Sequence, residues 1–286
     1  MQCQNNIDVG FERILPQLEE RLTDDTEPTE EYSLSTEEDA NCAPIVVCES
    51  ISRHEVTRWL GKTNGKLQRW EYKPLTRTTG CVVVYSLPTI VHNVTAGEVV
   101  DMIREQIMLL NPSARLMRTL RAAGNTRYDV GDRHQAPDQC LIPVGAQPNT
   151  FPNLVVEVAY KHESWEELLE KLRRWMGPDT TVQIAIGVQV GLVRRRIIVM
   201  QRKVCFDYRG GEEHLFTSEV VDFDFGSNHE IRFPLIALYV GVALPEALIE
   251  HEKTEIGIDL VELRETIDAL IPKNIVRRTN SKHPYY

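Results

Sequence analysis

The chain has 286 residues, of which 42% are hydrophobic, and its formal net charge is −10. A chain of this length buries a substantial core, which suits one large domain or one domain with extensions. Its longest apolar run, residues 235–244, is well short of the roughly 20 residues that a membrane-spanning helix requires, so no membrane partner is expected.

The cysteines and the N-terminus indicate an intracellular protein. The six cysteines are scattered without a CxxC pair, which argues against a zinc ribbon and against a disulfide framework. The N-terminus lacks a basic region followed by an apolar one, so no secretory signal is visible. We therefore expect a cytoplasmic or nuclear location.

The negative charge is concentrated in one N-terminal segment. Between Gln17 and Asp39, ten acidic residues accompany a single base, Arg21, so this segment carries −9 of the net charge of −10. Clustered acids with Thr, Ser and Pro and almost no apolar periodicity are typical of disordered segments. We predict a mostly disordered acidic region over residues 1–44, which is either a solvated tail or a contact site for an unknown basic partner.

A globular pattern begins at residue 45. An apolar run predicts a strand over residues 81–87. Thr95 and Glu98 have the spacing of a capping box, and the apolar residues that follow recur at helical intervals, which predicts a helix over residues 96–110. Residues typical of turns then surround a short extended piece at residues 139–142.

The second half of the chain predicts a mixed α/β (α+β) fold, because strands alternate with helices. The predicted elements are a strand over residues 154–160, a helix over residues 165–176, a hairpin of strands over residues 182–190 and 196–206, an apolar segment over residues 231–244 and a helix over residues 258–270. Ser164 and Glu167 form a second capping-box spacing at the start of the helix. We expect one domain over residues 45–272, followed by a basic C-terminal tail over residues 273–286.

Glu157 lies inside the apolar strand PNLVVEV, where a charged side chain needs compensation. Because side chains alternate along a strand, Asn153, Val155, Glu157 and Ala159 point to one face of the sheet. An ion pair with a structural base and a role as a metal ligand are both open for this carboxylate.

Two other residues point towards Glu157. Lys171 lies at the border of the apolar stripe of the following helix, where its long side chain can return its ammonium to the sheet. Asp138 precedes the short extended piece, so a hairpin-like return brings it beside Glu157. Two carboxylates and a lysine at a sheet edge suit Mg²⁺ or Mn²⁺, since such cations prefer oxygen ligands and leave positions for waters and phosphate.

The motifs APDQCLIP, PNLVVEV and the lysine within EELLEKLRRW resemble the PD-(D/E)xK nuclease superfamily, in particular its branch of predicted restriction endonucleases from bacteria and related eukaryotic proteins. The resemblance covers about residues 90–205 and implies a restriction-endonuclease-like three-layer core. It also implies that Asp138 and Glu157 bind the metal and that Lys171 positions or polarises the attacking water.

The chain departs from the superfamily pattern at Ala159, where the usual lysine stands. This departure places the role on Lys171 or on Lys161, which shares the face of Glu157 but lies at the end of the strand. Many such sites also contain a glutamate from a helix, and Glu105 is the candidate for it in this chain.

The predicted function is metal-dependent hydrolysis of phosphodiester bonds in DNA, with RNA as an open alternative. Candidate contacts to phosphate are the basic residues Arg173, Arg174, Arg194, Arg195, Arg196, Arg202 and Lys203. A solvated hairpin turn explains the cluster at Arg194 equally well. A catalytically inactive protein with the nuclease fold, acting in nucleic-acid or protein binding, is the alternative function, and homodimerisation is open.

Overall fold

The structure is a computed structural model. It describes residues 45–63, 70–84, 90–112, 114–124, 126–131, 133–148, 150–160, 163–191, 194–206, 212–224 and 230–271. The predicted disordered acidic region and the predicted basic tail lie outside these residues, as does Lys161, so the expectations for them stay predictions. Within the described residues, no helix combines the length and apolar character needed to cross a membrane.

Thirteen strands and four α-helices make up the described part of the chain. The strands are β1 (Ile45–Ile51), β2 (Trp70–Pro74), β3 (Gly80–Val84), β4 (Leu120–Ala123), β5 (Tyr128–Val130), β6 (Arg133–Gln135), β7 (Gln139–Pro143), β8 (Leu154–Tyr160), β9 (Ile184–Val190), β10 (Arg195–Phe206), β11 (Glu212–Asp222), β12 (Glu230–Pro234) and β13 (Glu255–Asp259). The helices are α1 (Arg53–Thr63), α2 (Ile90–Leu110), α3 (Trp165–Trp175) and α4 (Leu260–Leu270). Short 3-10 helices occupy Leu116–Arg118, Leu235–Tyr239 and Glu246–His251.

The first of two compact units contains the described residues before position 89 and those of Gly131–Gln135. In this unit β3 pairs antiparallel with β1 and with β2, which gives the sheet order β1-β3-β2. The Tyr72 hydroxyl donates a hydrogen bond to the Ile51 carbonyl at 3.2 Å. Gly80 is required there, because a Cβ at this position would lie 2.5 Å from the Tyr72 ring.

The second unit contains the described residues of Thr89–Val130 and those from Ala136 onward. Its centre is a six-stranded sheet with the order β11-β10-β9-β8-β7-β4. Strands β8 and β9 pair in parallel, and α3 connects them, whereas the other neighbouring pairs are antiparallel. A helix, three antiparallel strands, a second helix and a parallel strand therefore follow one another along the chain.

The helices cover both faces of this sheet, so the second unit has three layers. Val156 and Val158 of β8 belong to the buried cluster that contains α2 and α4, while Val155 and Ala159 belong to the cluster that contains α3. This alternation is the one predicted for the strand. The mixed α/β class is confirmed, and the architecture is consistent with a restriction-endonuclease-like α+β fold.

Close packing of α3 on the sheet requires a glycine opposite Glu157. Gly187 of β9 pairs with Glu157, and a Cβ at Gly187 would lie 2.5 Å from the Leu172 Cδ1 atom. The missing side chain lets the helix lie against the strands. The carboxylate of Glu157 is thereby enclosed between β8 and α3.

The starts of two predicted helices differ from the structure, and one predicted helix cap is confirmed. The capping box at Ser164 and Glu167 is confirmed. The predicted capping box at Thr95 is wrong, because α2 begins at Ile90 and Thr95 is fully buried inside it. The C-terminal helix begins at Leu260, where Asp259 caps it, and the preceding residues form β13, which the sequence pattern did not indicate.

Candidate active site

Glu157 lies in the middle of β8 and is 2% exposed. Its side chain faces α3, and the indole Nε1 of Trp175 donates a hydrogen bond to Glu157 Oε1 at 2.6 Å. Burial of a carboxylate in an apolar layer is costly unless hydrogen bonds or charges compensate it. The indole supplies one such hydrogen bond inside the protein.

Asp138 lies beside Glu157, as the sequence predicts. Gln139 of β7 pairs with Val156, so the residue before β7 lies next to the residue that follows Val156 in β8. Asp138 Oδ2 accepts a hydrogen bond from the Val158 backbone N–H at 2.8 Å. This bond continues the contact between β7 and β8 beyond their backbone hydrogen bonds. It also fixes the Asp138 carboxylate beside β8.

Lys171 brings positive charge to these carboxylates from α3. Its Nζ lies 2.6 Å from Glu163 Oε1, and the Lys171 side chain is 26% exposed. Burial acts to lower the pKa of Lys171, but the negative charges of Glu163, Glu157 and Asp138 together raise it above its ordinary value. The lysine is therefore a stable cation, and the three acids lie close enough to act on it.

Glu163 is a site residue that the sequence analysis missed. It follows β8 and precedes the cap of α3, and its side chain is 15% exposed. Burial raises the pKa of Glu163 to about 7, the charge of Lys171 opposes this rise, and the charges of Glu157 and Asp138 add to it. In sequence this residue is one polar position in a loop, and only the fold reveals its proximity to the acids.

His92 is a second residue that the sequence analysis missed. It lies in the first turn of α2, is 8% exposed, and its Nδ1 is 3.3 Å from Asp138 Oδ1. Because the helix was predicted to begin later, His92 had no assigned place. Val91 is apolar and buried on the same helix, so extending the apolar periodicity back to Val91 would have placed the start of the helix early enough to include His92.

Two predicted residues do not join this cluster. Glu105 is exposed on α2, about four turns or roughly 20 Å along the helix from His92, so it is not the helix carboxylate of this site. Ala159, at the usual position of the lysine, is fully buried in the apolar layer beneath α3. Among the described residues, Lys171 is the predicted lysine that lies near these acids.

The arginines at the start of β10 are paired with acids. Arg194 donates to Asp222 at 2.8 Å, and Arg196 Nε lies 3.3 Å from the same carboxylate. Arg195 is buried, and its guanidinium contacts Asp268 at 2.5 Å. Arg195 therefore links the sheet to α4. This buried structural contact does not fit the predicted contact of Arg195 to phosphate.

Arg202 also has a structural place that differs from its predicted contact to phosphate. Its guanidinium donates hydrogen bonds to the carbonyl oxygens of Val182 at 2.6 Å and Gly177 at 3.1 Å, and to Thr180 Oγ1 at 3.1 Å. Burial lowers its pKa. Arg202 thus holds the segment that connects α3 to β9.

Replacing Arg202 by methionine is expected to lower the free energy of unfolding by about 1–3 kcal/mol, because it leaves these oxygens without their donor. The neighbouring Lys203 is exposed, so Lys203→Met is expected to change stability by less than about 0.5 kcal/mol. Urea denaturation of both variants measures the difference. Equal stabilities would contradict the structural role of Arg202.

The donor set suits a hard divalent cation. Within the described residues, no group of three or more His, Cys, Asp and Glu side chains has the arrangement of a metal site. Asp138 and Glu157 nevertheless provide carboxylates from neighbouring strand positions. Mg²⁺ is commonly bound by one or two carboxylates together with waters and substrate phosphate, so these residues fit it.

Comparison with known proteins finds similarity to solved structures only. The chain matches no protein-family model and no curated protein. It is similar to a solved structure described as "a putative nuclease belonging to DUF820 from Anabaena variabilis ATCC 29413", with 15% sequence identity and a TM-score of 0.37. The similarity covers 69% of this chain and 90% of the other. The residues of the site, and not this similarity, carry the functional proposal.

Proposed function

We propose that this protein is a metal-dependent nuclease that hydrolyses phosphodiester bonds in DNA. Asp138 and Glu157 would bind Mg²⁺ or Mn²⁺, and Lys171 would contact the reacting phosphate. One arrangement carries the proposal: Asp138, just before β7, lies beside Glu157 of β8, and the Lys171 Nζ, 2.6 Å from Glu163 Oε1, brings a positive charge to these acids. A positive charge near the phosphate and carboxylates that can bind a divalent metal are components that phosphodiester hydrolysis requires.

The chemistry supplied by a bound divalent cation is activation of a water and compensation of phosphate charge. Each residue of the site has a separate part in this proposal. Lys171 donates to a phosphate oxygen and stabilises the charge that develops there. Glu163 holds the ammonium near the site through its 2.6 Å contact. His92, 3.3 Å from Asp138 Oδ1, orients that carboxylate.

The phosphate backbone of DNA requires exposed positive charge near the site. Arg173 and Lys203 are exposed and Arg174 is partly exposed, so these three remain candidates for the contact. Arg194 and Arg196 share Asp222, and DNA would have to compete with that carboxylate for them. Because few of the predicted residues remain candidates for the contact to phosphate, we expect DNA to bind at the site itself and not along an extended surface.

The test is cleavage of supercoiled plasmid by the purified protein in Mg²⁺ or Mn²⁺, with EDTA as the metal-free condition. Asp138→Asn is expected to reduce cleavage at least about 100-fold, because it removes a metal ligand. The amide oxygen can still accept the Val158 N–H bond, so the fold should persist. Asp179→Asn, at an exposed turn, is the matched control and should cleave normally. Cleavage that survives in Asp138→Asn would refute the site.

A second candidate function is nucleic-acid binding by an inactive nuclease fold. It is favoured by the close pairing of Lys171 with Glu163, which already engages the lysine, and by Ala159 at the usual lysine position. Under this alternative, DNA retention falls with rising salt and no product forms at any metal concentration. The plasmid assay therefore separates the two functions.

A further inference from the structure

The indole of Trp175 is a buried hydrogen-bond donor to Glu157, one of the acids near Lys171. Trp175 is the last residue of α3, is fully buried, and donates from Nε1 to Glu157 Oε1 at 2.6 Å. A neutral N–H donor to a carboxylate makes a charge-assisted hydrogen bond, which is stronger than a bond between neutral groups. The contact therefore constrains the carboxylate as well as the ring.

The surroundings of Trp175 leave its ring little freedom. The Tyr128 ring meets it edge to face, with 5.9 Å between the ring centroids. Its backbone carbonyl accepts hydrogen bonds from the Thr180 hydroxyl and from Arg202, so the end of α3 is fixed as well. An indole ring that contacts Tyr128 and whose backbone is held by two hydrogen bonds is a rigid donor, and Glu157 Oε1 must lie where that donor points.

We propose that Trp175 is a positioning residue for divalent-cation binding, which fixes the Glu157 carboxylate in the orientation that binds the cation. This inference rests on the proposed function, since it concerns the same cation. Groups that hydrogen-bond to a metal-binding carboxylate restrict its rotation, and their loss commonly weakens metal binding about 10–100-fold. Trp175 itself contacts neither cation nor substrate in this role.

The chain offers a matched control on the same helix. Trp165 is the first residue of α3, and its ring lies against the Arg196 guanidinium at 5.2 Å from the ring centroid. Trp165 has the same chemistry as Trp175 but lies at the opposite end of the helix. Replacing either residue by phenylalanine keeps an aromatic ring and removes the N–H donor.

Binding of Mn²⁺ to the full chain without nucleic acid provides a readout that is independent of activity. Electron paramagnetic resonance of free Mn²⁺ gives the dissociation constant of each variant. We expect Trp175→Phe to bind Mn²⁺ at least about 10-fold more weakly than the unmodified protein. Trp165→Phe should bind it with unchanged affinity. Circular dichroism establishes that both variants are folded.

A second measurement needs no substitution, which matters because Trp175 is in the core. In the protein labelled with ¹⁵N-tryptophan, the indole N–H resonance of Trp175 is assigned through the contact between the Trp175 and Tyr128 rings. Addition of Mg²⁺ should shift this resonance with the same midpoint as binding, while the Trp165 resonance stays unchanged.

The outcomes separate this inference from the proposed function. If the unmodified protein binds neither Mn²⁺ nor Mg²⁺, the proposed function fails and the role of Trp175 fails with it. If the protein binds the cation but Trp175→Phe binds it equally well, the nuclease proposal stands and the positioning role is overturned. A Trp175 indole resonance that does not respond to bound Mg²⁺ overturns the role in the same way.

Discussion

Replacing Glu157 by glutamine is expected to abolish measurable cleavage while leaving the metal-free protein nearly as stable as the original. Glutamine keeps the size of the side chain and removes the negative charge that a divalent cation requires. Loss of a direct metal ligand should exceed the 10–100-fold effect typical of outer-shell residues, so we expect a reduction of more than about 100-fold. Plasmid cleavage measures it.

The stability expected for Glu157→Gln follows from the contacts of this residue. The amide oxygen of glutamine can accept the Trp175 indole bond that Glu157 Oε1 accepts at 2.6 Å. The repulsion by Glu157 that raises the pKa of Glu163 disappears, and so does the attraction between Glu157 and Lys171. These changes oppose each other, so the free energy of unfolding should change by less than about 1 kcal/mol.

Glu157→Ala serves as the contrasting variant. It leaves the Trp175 N–H buried without this acceptor, which typically costs about 1–3 kcal/mol. If Glu157 served only in a structural ion pair, glutamine would also destabilise the fold markedly and cleavage would not depend on residue 157. A variant Glu157→Gln that is both unstable and active would therefore contradict the metal site. Glu170→Gln, exposed on α3, is the control for charge alone.

Local patterns were sufficient to predict the elements that carry the site. The alternation in β8 and the apolar stripe of α3 are properties of adjacent residues, so they are visible in sequence. The hairpin-like return that brings Asp138 beside Glu157 follows from turn residues between two short apolar runs. The structure accordingly brings Asp138, Glu157 and Lys171 together as the sequence predicted.

The partners of these residues depend on distances that local patterns do not contain. Glu163 reads as an ordinary loop residue, and its role depends on the exact path of the chain between β8 and α3. Trp175 reads as one member of an apolar stripe, and only its ring orientation reveals the bond to Glu157. His92 was missed because the start of α2 was placed too late.

The predicted phosphate contacts show a related limit of sequence reasoning. A run of arginines indicates positive charge but does not indicate which acid lies opposite each one. Arg195 and Arg202 lie seven residues apart on opposite faces of β10. Arg195 contacts Asp268, and Arg202 donates to backbone carbonyl oxygens. Their exposure, and not their number, decides how much charge is left for a ligand.

Replacing Lys171 by methionine is expected to destabilise the protein by about 3 kcal/mol at neutral pH and to reduce cleavage about 100-fold or more. Removing one partner of a buried ion pair typically costs 3–5 kcal/mol, and the lower end applies because the Lys171 side chain is 26% exposed. The loss of activity reflects a missing charge at the phosphate. Urea denaturation and plasmid cleavage measure the two effects.

The destabilisation should depend on pH through Glu163. Folding raises the pKa of Glu163 from its ordinary value of 4.5 to about 7, so the folded protein keeps a proton that the unfolded chain has released. The stability from this group is complete below about pH 4.5 and is lost as the pH rises through 7. Without Lys171, which lowers this pKa, the decline should extend to higher pH.

Two further variants and added Mg²⁺ test whether the destabilisation of Lys171→Met comes from the loss of its positive charge among the acids. Adding Glu163→Gln to Lys171→Met should recover part of the lost stability and remove the decline at higher pH, because the titrating carboxyl group is gone. Mg²⁺ should stabilise Lys171→Met by binding the folded state alone, in proportion to its occupancy. Arg173→Met, which removes an exposed charge from the same helix, should change stability by less than about 0.5 kcal/mol at every pH. If Lys171→Met instead matches Arg173→Met across the pH range, the ammonium does not lie among these acids, and the proposed catalytic role of Lys171 loses its structural basis.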